Sequence, residues 1–453
     1  MKFFVKTLLV TFTISILCLG CSSKNNKNKK LLPLLAFLMM NNDNPNPWTR
    51  LFGTSSKQTM GTGVSVGPQG NIYTTGDTNS ILEGQPSDNK TENIFVTKHD
   101  VGGNKLWTKF LGVTGKNTRS YAISSDSQGN VYITGITEGS LDGQTLTGVL
   151  DLFVIKYDSN GNKLWTRLLG ASGRQAFSND IIITSKNNIY ITGVTNGNLD
   201  GQTLTGIADL FITKYDSNGN RLWTKLLGVS NSQTRSESIS MDSQENLYIA
   251  GETGGNLDGQ TLTGTLDSFV AKYDSNGNKI WTRLLGASGK TTSAFGISSN
   301  PEGYVYITGF TDGNLDGNSL TGTKDLFVTK YDANGSKLWT KLLGTQGKET
   351  QAYRINVGAK GNIYVTGFTQ GDLDGQPQIG SQSGFVVKYD PDGNKLWTRL
   401  FGSIGSAAVA SDIAIDKQTK NIYISGVTNG DIDGQKLTGI QDSFLLKRAN
   451  ESR

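Results

Sequence analysis

Two aspartates recur along this 453-residue chain, nine residues apart in each copy. The first of each pair is Asp142, Asp200, Asp258, Asp316, Asp374 or Asp433, and the second is Asp151, Asp209, Asp267, Asp325 or Asp442. Two carboxylates with nearby loop carbonyls could hold Ca²⁺, a hard cation that takes about six to eight oxygens. The same Asp-Gly pairs are equally a tight turn with side-chain-to-backbone hydrogen bonds. The spacing matches no dense Asp-x-Asp-x-Asp-Gly loop, and Glu83 and Gly384 stand where copies one and six break the pattern. Both readings stand at this level, with no other cofactor implied.

A second set lies on a short alternating strand that recurs once per copy. One position of it reads Gly63, Ala122, Asp180, Ser238, Gly296, Arg354 and Asp412. Arg354 and Asp412 come from adjacent copies and can pair across them, as a wet structural ion pair or as part of a ligand site. Nothing in this set supplies a nucleophile with a base, so no catalytic residue is assigned and the protein is not expected to be an enzyme. The single histidine, His99, occupies a slot that reads Tyr157, Tyr215, Tyr273, Tyr331 and Tyr389 elsewhere, which points to a drifted tyrosine.

The net charge of +5 misleads. Lys2, Lys6, Lys24, Lys27, Lys29 and Lys30 precede the repeated part, and without them the remainder carries about −1. A nucleic-acid reader needs a basic body, so nucleic acid is excluded as a partner.

Both cysteines, Cys18 and Cys21, fall in the N-terminal segment, so the rest of the chain has no thiol chemistry. Two lysines, an apolar stretch at 7–19 and then Gly20-Cys21 make a secretory leader, too short to span a membrane. The run Cys18-Leu19-Gly20-Cys21 followed by two serines resembles the lipobox of bacterial lipoproteins. That resemblance implies cleavage after residue 20 and acylation of Cys21, with Cys18 standing where the pattern prefers Leu. Several acyl chains anchor a protein stably where one does not. Residues 31–40 are apolar but too few to cross a bilayer; they suit the membrane interface beside the anchor, or packing on the folded body or a partner. Residues 41–46 read as a flexible spacer.

The elements that carry the aspartates follow from a period. All seven tryptophans sit in one repeated phrase, Asn-Lys-Leu-Trp-Thr-Lys-Phe-Leu-Gly at 104–112, and successive tryptophans from Trp107 to Trp397 are 58 residues apart. A fixed period of this order marks a repeat architecture. Within one copy, residues 120–125, 130–134, 152–157 and Lys163–Leu169 read as four short strands. Turns at 126–129 and 158–161 and a long loop at 135–151 connect them. Four antiparallel strands with no helical period make a propeller blade.

The ends agree. Trp48–Phe52 is a fourth strand with no three before it, and 411–415, 421–425 and 443–447 are three strands with no fourth after them. Joined, they complete a seventh blade and close the ring, which removes free sheet edges. The expected fold class is therefore an all-β, seven-bladed propeller. The domains are a signal peptide at 1–20, a tether at 21–46, the propeller at 47–448 and a tail at 449–453.

The repeat resembles the SBBP repeats of secreted bacterial proteins. Gly129 to Gly135, Asp151 to Lys156 and Gly161 to Trp165 carry the likeness. It implies the fold and no particular activity. A likeness to NHL-type propellers implies that the strand holding Asp180 is innermost and the Trp strand outermost. Two loop types then share one face, the natural place for function. The cations two residues after each tryptophan, Arg50 through Arg399, read as guards against edge pairing or as a belt for acidic glycans.

The reading is a lipid-anchored outer-membrane lipoprotein, monomeric, acting as a surface-facing binding platform for a protein or glycan. The alternative is a periplasmic scaffold for envelope assembly. Replacing Cys21 with Ser should abolish radiolabelled palmitate incorporation and release the protein from the membrane pellet. Labelling or pelleting that survives the substitution would remove the anchor.

Overall fold

The computed structural model describes residues 47–79 and 91–448. Cys21, the apolar segment at 31–40, Glu83 and the tail at 449–453 lie outside the described residues. Seven four-stranded antiparallel sheets form the seven blades. In blade two the strands are Thr118–Ser125, Val131–Thr137, Asp151–Tyr157 and Lys163–Leu169, paired in sequence order.

Blade seven is closed as the end fragments require. Trp48–Phe52 pairs antiparallel with Asp442–Arg448, which pairs with Ile422–Thr428 and then Ala408–Ile415. First strands of neighbouring blades approach one another around the ring, which puts them innermost and the Trp strands outermost.

Most strands run longer than the sequence patterns indicate. The second strand of blade two continues through Gly135 to Thr137, and the first begins at Thr118. Gly135 is not a stop signal. A Cβ there would lie 1.9 Å from the Arg119 carbonyl oxygen, so glycine lets the first strand's backbone cross close to the second. That crossing accompanies a β-bulge, present in every blade, at Thr62, Tyr121, Asn179, Glu237, Phe295, Tyr353 and Ser411. Nothing in the alternating pattern signals it.

The middle strands are buried on both faces: in blade two, Val131, Tyr132 and Ile133 face neighbours on one strand and Phe153, Val154 and Ile155 on the next. Fully burying one such side chain contributes about 1.5–3 kcal/mol.

The long loop explains both repeated aspartates. Asp142 has φ 52° and Gly143 φ 75°, the paired positive angles of a type I′ turn, closing a two-way bond between Leu141 and Gln144. Its carboxylate accepts from Thr166 Oγ1 at 2.7 Å and pairs with the Lys163 ammonium on the fourth strand. Asp200, Asp258, Asp316 and Asp374 repeat the ion pair with Arg221, Lys279, Lys337 and Lys395 of their fourth strands, and Asp433 pairs with Arg448 of the third strand and accepts from Thr49 Oγ1 at 2.6 Å.

Asp151 is fully buried, and its two oxygens accept from the backbone N–H of Thr147 at 2.7 Å and Gly148 at 2.8 Å. Asp209, Asp267, Asp325 and Asp442 do the same. In blade six the register puts Ser383, not Gly384, in this position, and its Oγ accepts from Ile379 N at 3.0 Å.

Asp209→Ala should therefore leave two loop N–H groups without an acceptor. At about 1.5–3 kcal/mol per hydrogen bond to a charged group, less what water recovers, the expected loss is about 2–4 kcal/mol. A shift in urea midpoint measures it, and a midpoint within error of wild type would show that the buried carboxylate is dispensable.

Candidate binding mouth of the propeller

The two faces of the ring are built differently. On one, each outer hairpin turn is consumed in holding the blades together. Asp158 folds the turn at 158–161 by accepting from Asn160 N and Asn162 N, which leaves the Ser159 carbonyl pointing out of the turn. That oxygen accepts from Lys98 Nζ at 2.9 Å and Trp107 Nε1 at 3.3 Å, both from the preceding blade. Lys156, Lys214, Lys272 and Lys330 repeat the bond, to Ser217, Ser275, Ala333 and Pro391.

The cations of the Trp strands share in this. Arg50, Arg167 and Arg283 stack over their own tryptophans and donate Nε to Gly103, Gly219 and Gly335 of the next blade at 2.9–3.0 Å. These three arginines are inter-blade clamps, not a free belt for acidic glycans.

The carboxylate pairs do not converge as a ligand set. Asp142, Asp200, Asp258 and Asp316 already face a lysine or arginine, and Asp151, Asp209, Asp267 and Asp325 spend both oxygens on their own loops. Among the described residues no group of three or more His, Cys, Asp or Glu is arranged to hold a metal ion. The turn reading accounts for the motif without calcium.

The channel residues are brought together only in part. Arg354 Nε lies 3.8 Å from Asp412 Oδ1, the expected pair from adjacent blades. Asp412 also accepts from Val64 N of blade one at 2.8 Å, and Asp180 accepts from Ser238 Oγ at 2.7 Å and Ile239 N at 3.0 Å of blade four. Each aspartate thus links two innermost strands. Burial pushes the Asp412 carboxyl up to about 6, with the Asp180 charge adding to it and Arg354 opposing. His99 lies buried beside Phe52 in the tyrosine slot, and burial holds it down at about 4, so it is neutral.

What the sequence patterns did not single out is the bulge position. Around the ring it reads Thr62, Tyr121, Asn179, Glu237, Phe295, Tyr353 and Ser411, changing at every step while the second, third and fourth strands are near copies. These residues sit toward the end of the first strand that meets the two loop types. The loops there interlock: Val149 N donates to Arg174 O at 2.7 Å and Ala176 N to Leu150 O at 3.0 Å.

Two chemistries divide the mouth. In blades five and six Phe310, Phe295, Tyr353 and Phe368 form a chain of rings with centroids 5.7–5.8 Å apart. In blades one to four the mouth mixes Tyr121 and Phe177 with polar and charged groups. Burial, then Glu252, pushes the Glu237 carboxyl from its ordinary 4.5 up to about 7, against Arg354 and Arg235. Burial and then Glu92 do the same to Asp77, also to about 7, against Arg119. Asp77 Oδ2 is buried with no hydrogen-bond partner among the described residues. The available signal was departure from the repeat along the first strand, in a blade whose other three strands do not depart.

The model of the SBBP family, described as a β-propeller repeat, matches residues 48–83, 106–142, 164–200, 222–258, 280–316 and 338–374. This chain is an SBBP-type β-propeller-repeat protein. Two curated proteins are similar to the SBBP propeller. An uncharacterized WD repeat-containing protein of Acanthamoeba polyphaga mimivirus is 25% identical over 71% of this chain and 31% of its own length. The regulatory protein FlaEY of Caulobacter vibrioides is 26% identical over 60% of this chain and 32% of its own. The chain thus spans about a third of the curated relatives it matches. Among solved structures, a catalytically inactive virginiamycin B lyase of Staphylococcus aureus covers 89% of the chain, and 99% of its own chain is matched, at 10% identity and a TM-score of 0.49. That is a likeness of architecture at most.

Because the Glu237 pKa is higher in the folded than in the unfolded chain, the folded state holds more protons between about pH 4.5 and 7. Stability therefore falls as pH rises through that window. Glu237→Gln should flatten the fall and melt above wild type at pH 8, with Asp77 and Asp412 still contributing a residual slope. An unchanged pH profile of melting temperature in the variant would show that Glu237 is solvated.

Proposed function

We propose that this SBBP propeller is an exported, lipid-anchored and non-catalytic binding platform whose working surface is the loop-bearing mouth of its channel. One observation carries the reading: the first-strand residues around the bulge, which line that mouth, change from blade to blade, while the other three strands of each blade are close copies. A repeat under only structural constraint has no reason to place Tyr, Asn, Glu, Phe and Tyr at successive equivalent positions that contribute little to the buried core. The opposite face supports the assignment by being used up in clamps between blades.

The N-terminal lipobox supports an address at the cell envelope, on the outer membrane and facing the surroundings. Absence of catalysis is part of the proposal, since the one imidazole is buried in a tyrosine slot and the channel carboxylates are committed to neighbouring strands.

Full-length protein in detergent, immobilised and offered envelope extract and exported polysaccharide, should retain a component that Glu237→Lys with Phe295→Ala does not. Equal retention by both, or none by either, would take the platform away from the mouth.

A further inference from the structure

The mouth holds a cavity of about 360 Å³ shared by blades two, three and four. Tyr121 and Phe177 supply its rings, and Gln175, Asn179, Arg235 and Glu237 supply planar polar groups. Asn179 is set in place by donating Nδ2 to Ser236 O at 2.7 Å, with Glu237 Oε2 at 3.5 Å, which leaves its Oδ1 as an acceptor. Arg235 is oriented by donating Nε and Nη2 to Gln233 Oε1 at 3.1 and 2.7 Å, and Nη1 is left.

We propose that this cavity is a saccharide-binding subsite, taking one or two pyranose rings between Tyr121, Phe177, Asn179, Arg235 and Glu237. The inference deepens the platform reading and rests on it.

A pyranose presents apolar C–H faces and an edge of hydroxyls, each both donor and acceptor. Its faces gain by burial against aromatic rings. Its hydroxyls, once out of water, cost about 1–3 kcal/mol each unless paired. Planar amide, carboxyl and guanidinium groups pair two vicinal hydroxyls at once, and six such groups, Asn196 and Gln233 among them, line this one cavity. The volume lies at the lower end of about 300–1,000 Å³ for small-molecule sites, which suits a short saccharide end more than a large cofactor.

Other ligand classes fit less well. An anion such as phosphate would meet a single arginine beside a carboxyl group. A cationic amine would want an ionised carboxylate, and burial keeps Glu237 largely protonated below about pH 7. In that neutral form the carboxyl both donates and accepts, matching a hydroxyl.

The test is a printed array of neutral and acidic oligosaccharides probed with full-length protein in detergent. Wild type should bind at least one oligosaccharide, and both Phe177→Ala and Asn179→Ala should weaken that signal about tenfold or more. Melting temperatures of the variants are measured alongside; Asn179→Ala removes little core and keeps the test decisive if Phe177→Ala unfolds. Leu338→Ala, exposed on the outermost strand of blade five and away from the mouth, should bind like wild type. Failure to bind any oligosaccharide, or a signal unchanged by Asn179→Ala, overturns the subsite. If the mouth still retains a protein from envelope extract while binding no saccharide, the subsite falls and the platform reading stands.

Discussion

The structure depends on one repeated bond, between a turn carbonyl and the cations and indoles of the blade before it. A propeller blade is a small sheet with two apolar faces, and it is stable only when both are covered. Packing alone is non-directional and would tolerate slip between blades. The Ser159 carbonyl, held by Lys98 and Trp107, and its equivalents at Ser217, Ser275, Ala333 and Pro391, set each blade's register against the next. The lysines also lie over the tyrosines of their own second strands, at 5.0–5.6 Å for Lys98, Lys156, Lys214 and Lys272, so the cation is partly desolvated and its bonds are stronger for it.

That requirement sorts the two faces of the ring. The turn face must keep one backbone geometry in every blade, because each turn is both a fold-back and an acceptor for its neighbour. The long-loop face is under a different demand. There Asp151 and Asp142, with their equivalents, make each loop rigid from within, through its own N–H groups and its own fourth strand. The loops need nothing from a ligand to be ordered. What they frame, the bulged positions of the innermost strands, is therefore free to change from blade to blade.

The bulge does the rest. By inserting one residue into each first strand, it leaves one position out of register with the second strand, such as Asn179 before Asp180 and Tyr353 before Arg354. One position of each pair links blades, as Asp180 does with Ser238 and Asp412 with Val64. The other is left to supply chemistry. A near-neutral Glu237, a ladder of four rings and a cavity with Tyr121 and Phe177 all arise at that second position or beside it.

The chain's sequence alone determined the architecture. A 58-residue period, four strand patterns per period and complementary end fragments leave a closed seven-bladed ring as the solution, because only closure gives the orphan Trp48 strand a partner. It also determined the pairing of Arg354 with Asp412, since equal positions in adjacent copies must be neighbours. The roles of the aspartates were open in the sequence, because a carboxylate reads the same whether it faces a metal, a lysine or its own backbone. Tertiary structure decided that Asp142 faces Lys163 and Asp151 its own loop. It also decided where variation matters. A one-residue bulge shifts which side chains share a face, and it accompanies the backbone crossing at Gly135 and its equivalents. No periodicity of side chains along a single strand can reveal that.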